Sequence, residues 1–104
     1  MITEKKAEPG KLLVILKGRL DTETAPDLEN ELKDVTEDIT ELSFEMSELD
    51  YISSAGLRVL LSAHKKMDAA GGKMTIRNAG KALMEVFDIT GFLDVFTFET
   101  VKRK

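Results

Sequence analysis

The run Lys11-Leu12-Leu13-Val14-Ile15-Leu16-Lys17 constrains this chain more than any other stretch. Successive side chains of a strand point to opposite faces, so a strand apolar at every position is apolar on both. That pattern suits a central strand covered above and below. The turn signal Glu8-Pro9-Gly10 precedes it, and Ile2 to Ala7 precede the turn. The two segments read as an antiparallel hairpin, with Gly18 expected to end the second strand.

The rest of the chain alternates helices and strands. Thr24 is placed to cap a helix whose first turn holds Pro26 and Asp27, residues suited to the positive end of a helix. Ala25, Leu28, Leu32 and Val35 recur on one face, so this helix should end near Val35. From Ile39 to Met46 the pattern alternates, with Leu42, Phe44 and Met46 inward and Glu41, Ser43 and Glu45 outward. A loop over Ser47 to Ser53 should follow. A long helix is expected from Ser54 to Ala70, with Leu57, Leu60, Leu61 and His64 as its apolar stripe and Gly71-Gly72 closing it. Lys73 to Arg77 reads as a strand. Leu83, Val86 and Phe87 mark a third helix broken at Thr90-Gly91, and Val95 to Glu99 a last strand. The order ββαβαβαβ predicts one α/β domain over residues 1–104, a mixed, mostly parallel sheet with helices packed against it.

Composition narrows the function. The 104 residues have a net charge of −4, which argues against direct nucleic-acid binding, since that needs a basic face. Lys102-Arg103-Lys104 is too short a basic tail to reverse this and reads as a solvated terminus. There are no cysteines, so neither disulfides nor thiolate metal sites arise. No apolar run approaches a bilayer span and the start lacks a signal-peptide core, so a cytoplasmic location without membrane insertion is expected. No dinucleotide or P-loop motif is present, the acidic residues lack metal-site spacing, and His64 has no catalytic company. The expectation is a protein that is not an enzyme and carries no cofactor or metal. Met46, Met67, Met74 and Met84 read as core filling.

Sites in open α/β sheets gather beyond the carboxyl ends of the parallel strands. Three segments there carry polar residues: Arg19-Leu20-Asp21-Thr22, the turn with Ser53, Ser54 and Gly56, and the segment with Asn78 and Gly80. Each has a plain structural reading as well. A serine before a helix is a good N-cap, Asp21 can organise a turn, and Gly18 and Gly56 can permit close packing.

Three segments together resemble the STAS domain of bacterial anti-sigma factor antagonists. They are Leu16-Lys17-Gly18-Arg19-Leu20-Asp21, Leu49-Asp50-Tyr51-Ile52-Ser53-Ser54-Ala55-Gly56-Leu57-Arg58, and Val86-Phe87-Asp88-Ile89-Thr90-Gly91-Phe92. The resemblance covers nearly the whole chain, and its middle motif is the most specific. The family signature is Asp-Ser-Ser-Gly or Asp-Ser-Thr-Gly, with the serine after the aspartate phosphorylated. Carried over by residue, the aspartate falls on Ser53, the phosphorylated serine on Ser54, the next hydroxyl residue on Ala55 and the glycine on Gly56. Two positions therefore depart from the signature.

The resemblance implies a partner switch. An unmodified antagonist binds an anti-sigma factor and frees the sigma factor. The anti-sigma factor, a serine kinase that itself binds ATP, phosphorylates the antagonist and releases it, and a serine phosphatase resets the cycle. Ser54 is the expected acceptor and Ser53 the second choice. Asp21, Ser53, Ser54, Gly56, Arg58 and Asn78 are the expected partner contacts, with Asp21 and Asn78 at the rim, on a monomer. Because Ser53 replaces the family aspartate, a second reading stands beside this one: a non-phosphorylated STAS scaffold or accessory subunit of a transport or signalling complex. A nucleotide-binding protein ranks last, for want of a phosphate-cradling loop.

Overall fold

A computed structural model describes residues 2–33 and 39–100; the expectations for Val35 and for the basic tail at 102–104 lie outside them. The elements follow the expected order: β1 (Ile2–Glu8), β2 (Lys11–Leu20), α1 (Ala25–Leu32), β3 (Glu41–Ile52), α2 (Ser54–Ala69), β4 (Lys73–Arg77), α3 (Lys81–Ile89) and β5 (Thr97–Glu99). A short 3₁₀ turn, Phe92–Asp94, separates α3 from β5, and β5 begins at Thr97 rather than at the expected Val95.

The five strands form one sheet in the order β1-β2-β3-β4-β5. β1 pairs antiparallel with β2, and every later pair is parallel. Each parallel connection steps the same way across the sheet. Crossovers of one hand taken in one direction place their helices on one face. The contacts agree. Lys5 on that face pairs with Glu31 of α1, His64 and Met67 of α2 border a cleft with Met74, and Met84 of α3 borders another with Ile76 and Phe98. Register puts Val14, Phe44, Ile76 and Phe98 on this covered face. Leu13, Ile15, Ser43, Glu45, Thr75 and Arg77 fall on the other, where no helix lies among the described residues. The expectation that β2 is covered above and below is therefore corrected: its neighbours in the sheet flank it, and helices cap only one side.

β3 departs furthest from the alternation read in the sequence. It continues through the expected loop to Ile52. Its pairing with β2 slips twice, between Ile15 and Lys17 and between Gly18 and Arg19, and each time β3 spends one residue more than β2. Such bulges bend a strand and break its period of two. The buried positions Met46, Leu49 and Ile52 consequently fall three apart. Gly18 does not end β2; it adopts φ +82° beside the second slip, a conformation open to glycine at little steric cost. Glu45, expected outward, is buried. Its carboxylate accepts the Ser47 amide at 3.2 Å and the Asn78 side-chain amide at 3.0 and 3.1 Å. A buried carboxylate needs such donors.

α2 packs through Gly56, Leu57, Val59, Leu60, Ala63 and Met67. Leu61 and His64 sit at the edge of this stripe, half-buried, and the His64 ring meets Phe96 edge-on at 5.7 Å. Phe96 also joins Phe87, Phe92 and Phe98, so the rings of α3, the 3₁₀ turn and β5 close the far end of the core. Met46, Met67 and Met74 are buried and Met84 is half-buried, as core filling requires.

Gly56 governs how closely α2 approaches the sheet. A Cβ there would lie 2.7 Å from Leu20 Cγ and 3.0 Å from Ile52 Cγ1, both on buried side chains. Gly56→Ala should raise helix propensity by about 1 kcal/mol yet lose about 1–3 kcal/mol to overpacking. A net loss of about 1 kcal/mol in urea denaturation is the expected result, with no loss of secondary structure.

Candidate functional site

The carboxyl ends of β2 and β3 stop side by side, with Leu20 opposite Ile52. The Ser53 amide donates to the Leu20 carbonyl at 2.9 Å, so the turn into α2 is tied to the turn leaving β2. Ser53 is extended (φ −100°, ψ 174°) and its Oγ accepts the Gly56 amide at 3.4 Å, while its carbonyl accepts the Leu57 amide at 2.9 Å. Ser53 is thus the N-cap. Ser54 is the first helical residue and is exposed, and among the described residues its hydroxyl has no hydrogen-bond partner. The two adjacent serines have been given different work: one hydroxyl holds the helix start and the other faces outward.

Across from them, Asp21 builds the turn that leads into α1. Its Oδ1 accepts the amides of Glu23 and Thr24 at 3.0 and 3.1 Å, and its own amide donates to Thr24 Oγ1 at 2.8 Å. Thr24 occupies the N-cap position of α1, but its hydroxyl makes no capping bond. It turns back to donate to the Arg19 carbonyl at 2.9 Å, and the amide of Ala25, the first residue of α1, donates to the Asp21 backbone carbonyl at 2.8 Å. The Thr24 amide holds the Asp21 carboxyl below its ordinary range. Partial desolvation opposes that, while the Glu23 amide, the Thr24 hydroxyl and Arg19 reinforce it.

Arg19 and Tyr51 complete this surface, although no local pattern in the chain joins them. The second slip in register places them opposite one another. The guanidinium carbon of Arg19 lies 4.4 Å from the centre of the exposed Tyr51 ring, a cation–π contact, and Arg19 Nε is 3.5 Å from Asp21 Oδ2. Only the pairing register could have revealed it.

The other expected contacts are placed differently. Arg58, four residues beyond Ser54, is exposed and lies on the side of α2 that faces α1, where it borders a cavity with Thr22 and Ala55. Gly56 is buried under Leu20 and Ile52, so it shapes the site from beneath and presents nothing to a partner. Asn78 stands apart. β4 ends where Arg77 pairs with Glu45, and Ile52 lies seven residues further along β3. At about 3.3 Å per residue, less the two bulges, Asn78 is on the order of 15–20 Å from the serine turn. Its side chain binds Glu45, and it holds φ 56°, a conformation asparagine tolerates. The expected grouping of all three segments is corrected: the unequal reach of β3 and β4 separates them, leaving Asp21, Ser53, Ser54 and Arg58 together. Among the described residues no group of three or more His, Asp or Glu side chains could hold a metal ion, and no helix is long and apolar enough to cross a membrane.

The fold is a five-stranded mixed sheet, helical on one side, with an exposed serine opening the helix after its third strand. The chain belongs to the STAS domain family, whose model matches residues 3–103. It is 36% identical over 88 residues to BtrV of Bordetella bronchiseptica, a protein named for anti-sigma factor antagonism, covering 84% of this chain and 76% of that one. It is 29% identical over 90 residues to the anti-sigma-B factor antagonist of Bacillus subtilis, covering 86% and 83%. The crystal structure of an anti-sigma factor antagonist from Mycobacterium paratuberculosis superimposes with a TM-score of 0.81 at 26% identity, covering 93% of this chain and 83% of that one.

The division of labour between the serines is measurable. Ser53→Ala should destabilise the domain by about 0.5–1 kcal/mol through loss of the cap, whereas Ser54→Ala should stay within about 0.5 kcal/mol of the parent in denaturant titration. Asp21 should titrate below 3.8 by carboxyl NMR. Because its folded pKa is depressed, its contribution to stability is complete above the unfolded value and is lost as pH falls through the folded one. Replacing the hydroxyl, in Thr24→Val, should move the Asp21 midpoint upward.

Proposed function

We propose that this protein is an anti-sigma factor antagonist switched by phosphorylation of Ser54. The observation that carries the proposal is the exposed Ser54 hydroxyl, without a hydrogen-bond partner among the described residues, beside a Ser53 hydroxyl already committed to the helix cap. The names of its relatives supply the class of partner, an anti-sigma factor. In the unmodified state the surface of Asp21, Ser54 and the Arg19–Tyr51 pair docks on that partner. A partner that is also a serine kinase holds ATP itself. Ser54 Oγ attacks the γ-phosphorus, ADP leaves, and the hydroxyl proton passes to a base on the kinase.

The product suits this position. A phosphoserine carries about −1.5 to −2 charges, and the first turn of a helix favours an anion. The α2 N-terminus therefore accepts the phosphate without unfolding, and Arg58 one turn on can approach it. The cost falls on the interface, where a dianion without a matched cation must be desolvated. A serine phosphatase would restore the binding form.

Incubation with ATP and a kinase-type anti-sigma factor from the same genome, followed by intact-mass and fragment analysis, should find one phosphate on Ser54. Ser54→Ala should retain anti-sigma binding and take up none. Ser54→Asp should weaken binding about a hundredfold, a change of about 2.7 kcal/mol. An unmodified Ser54 in the presence of an active kinase and a phosphorylated control antagonist would overturn the switch and favour a scaffold role.

A further inference from the structure

α1 and α2 lie side by side on the sheet but do not close against each other. Between them is a cavity of about 430 Å³. Its existence follows from residue size, since the facing positions include Ala25, Ala55, Ser62 and Ala63, which leave the helices unable to interdigitate. Volumes of about 300–1,000 Å³ are typical of small-molecule sites. The floor is apolar, with Ala25, Leu32, Val59 and Ala63 all nearly buried. At one end a further void of about 20 Å³ opens beneath it, between Leu32, Leu42, Ala63 and Met67.

The border of this cavity differs in charge from the rest of the chain. Lys33, Arg58 and Lys66 line it against a single carboxylate, Glu29, in a protein whose net charge is −4. Among the described residues none of the three cations forms an ion pair. Arg58 lies at the end marked by Thr22 and Ala55, with the Ser62 hydroxyl one turn further along the same helix face. Guanidinium and hydroxyl groups together suit a carboxylate. The apolar floor then runs from that end toward Leu32 and the void below it.

We propose that the α1–α2 groove binds a small amphipathic carboxylate, its head held at Arg58 and Ser62 and its aliphatic body laid over Val59, Ala63 and Leu32. Lys33 and Lys66 add a favourable field at the far mouth, with their stems as walls. This site does not use the Ser54 hydroxyl, although it draws on Arg58, the cation placed one turn from that serine. It shares Thr22, Ala55 and Arg58 with the neighbourhood of the serine turn, so an occupant would lie against the partner-binding region.

Octanoate titrated into isotopically labelled protein, followed by amide NMR, tests it. Saturable shifts should cluster at Ala25, Ala55, Val59 and Ala63, with a Kd on the order of 1 mM or below. Arg58→Gln should weaken binding about tenfold with the spectrum otherwise intact, and Lys66→Gln by a smaller factor. Octanol, with the same chain and no charge, should bind at least tenfold more weakly than octanoate. Equal binding of the alcohol, shifts dispersed away from the groove, or no saturation at all would each overturn the proposal. So would preferential binding of an acidic peptide at the same residues, which would make the groove a protein contact. Ser54→Ala should bind octanoate like the parent, separating this site from the phosphorylation switch.

Discussion

Everything at the functional edge rests on one close approach, that of α2 to the ends of β2 and β3 at Gly56. Without a side chain at that position the helix settles against Leu20 and Ile52. That depth lets the Ser53 amide reach the Leu20 carbonyl, binding two loops that are over thirty residues apart in sequence into one surface. The loop after β2 is itself held by hydrogen bonds, because the Asp21 amide donates to the Thr24 hydroxyl while the Asp21 carboxylate accepts from the Thr24 amide and hydroxyl. The exposed serine is thus mounted on a frame whose polar groups are mostly already satisfied, and few internal bonds need break for it to be modified.

The order of elements was legible because strands and helices differ in apolar period and because glycine punctuates their ends. The serine turn was legible because its motif is local. What could not be read depends on pairing between strands. The two slips in β3 hide its second half: Met46, Leu49 and Ile52 recur at a spacing that resembles neither a strand nor a loop. The Arg19–Tyr51 contact and the isolation of Asn78 follow from the same cause, since both are settled by how far one strand reaches beside its neighbour. Glu45 looked like a surface carboxylate in an alternating strand. Its burial depends on donors from Ser47 and Asn78 that only the folded sheet brings to it.

The connections also explain the unequal faces of the sheet. Three crossovers stepping one way concentrate the helices, the aromatic cluster and the α1–α2 groove on a single side. The serine turn lies along the rim of that side, where the helices begin. That rim presents loop backbone, helix termini and the Arg19–Tyr51 pair, all carried by elements that share one core.

The doubled slip in β3 has a consequence for how such a chain can vary. Inward-facing residues at 46, 49 and 52 keep their side only because each odd spacing is matched by one surplus residue. Exchanging a letter between 47 and 51 alters a single side chain. Removing one residue there cancels a bulge, shortens the strand against β2 and draws the start of α2 away from Leu20. The segment therefore works as a ruler. Its length is under stronger constraint than its lettering, and the position of the serine is set by a count of residues as much as by any contact that the serine makes.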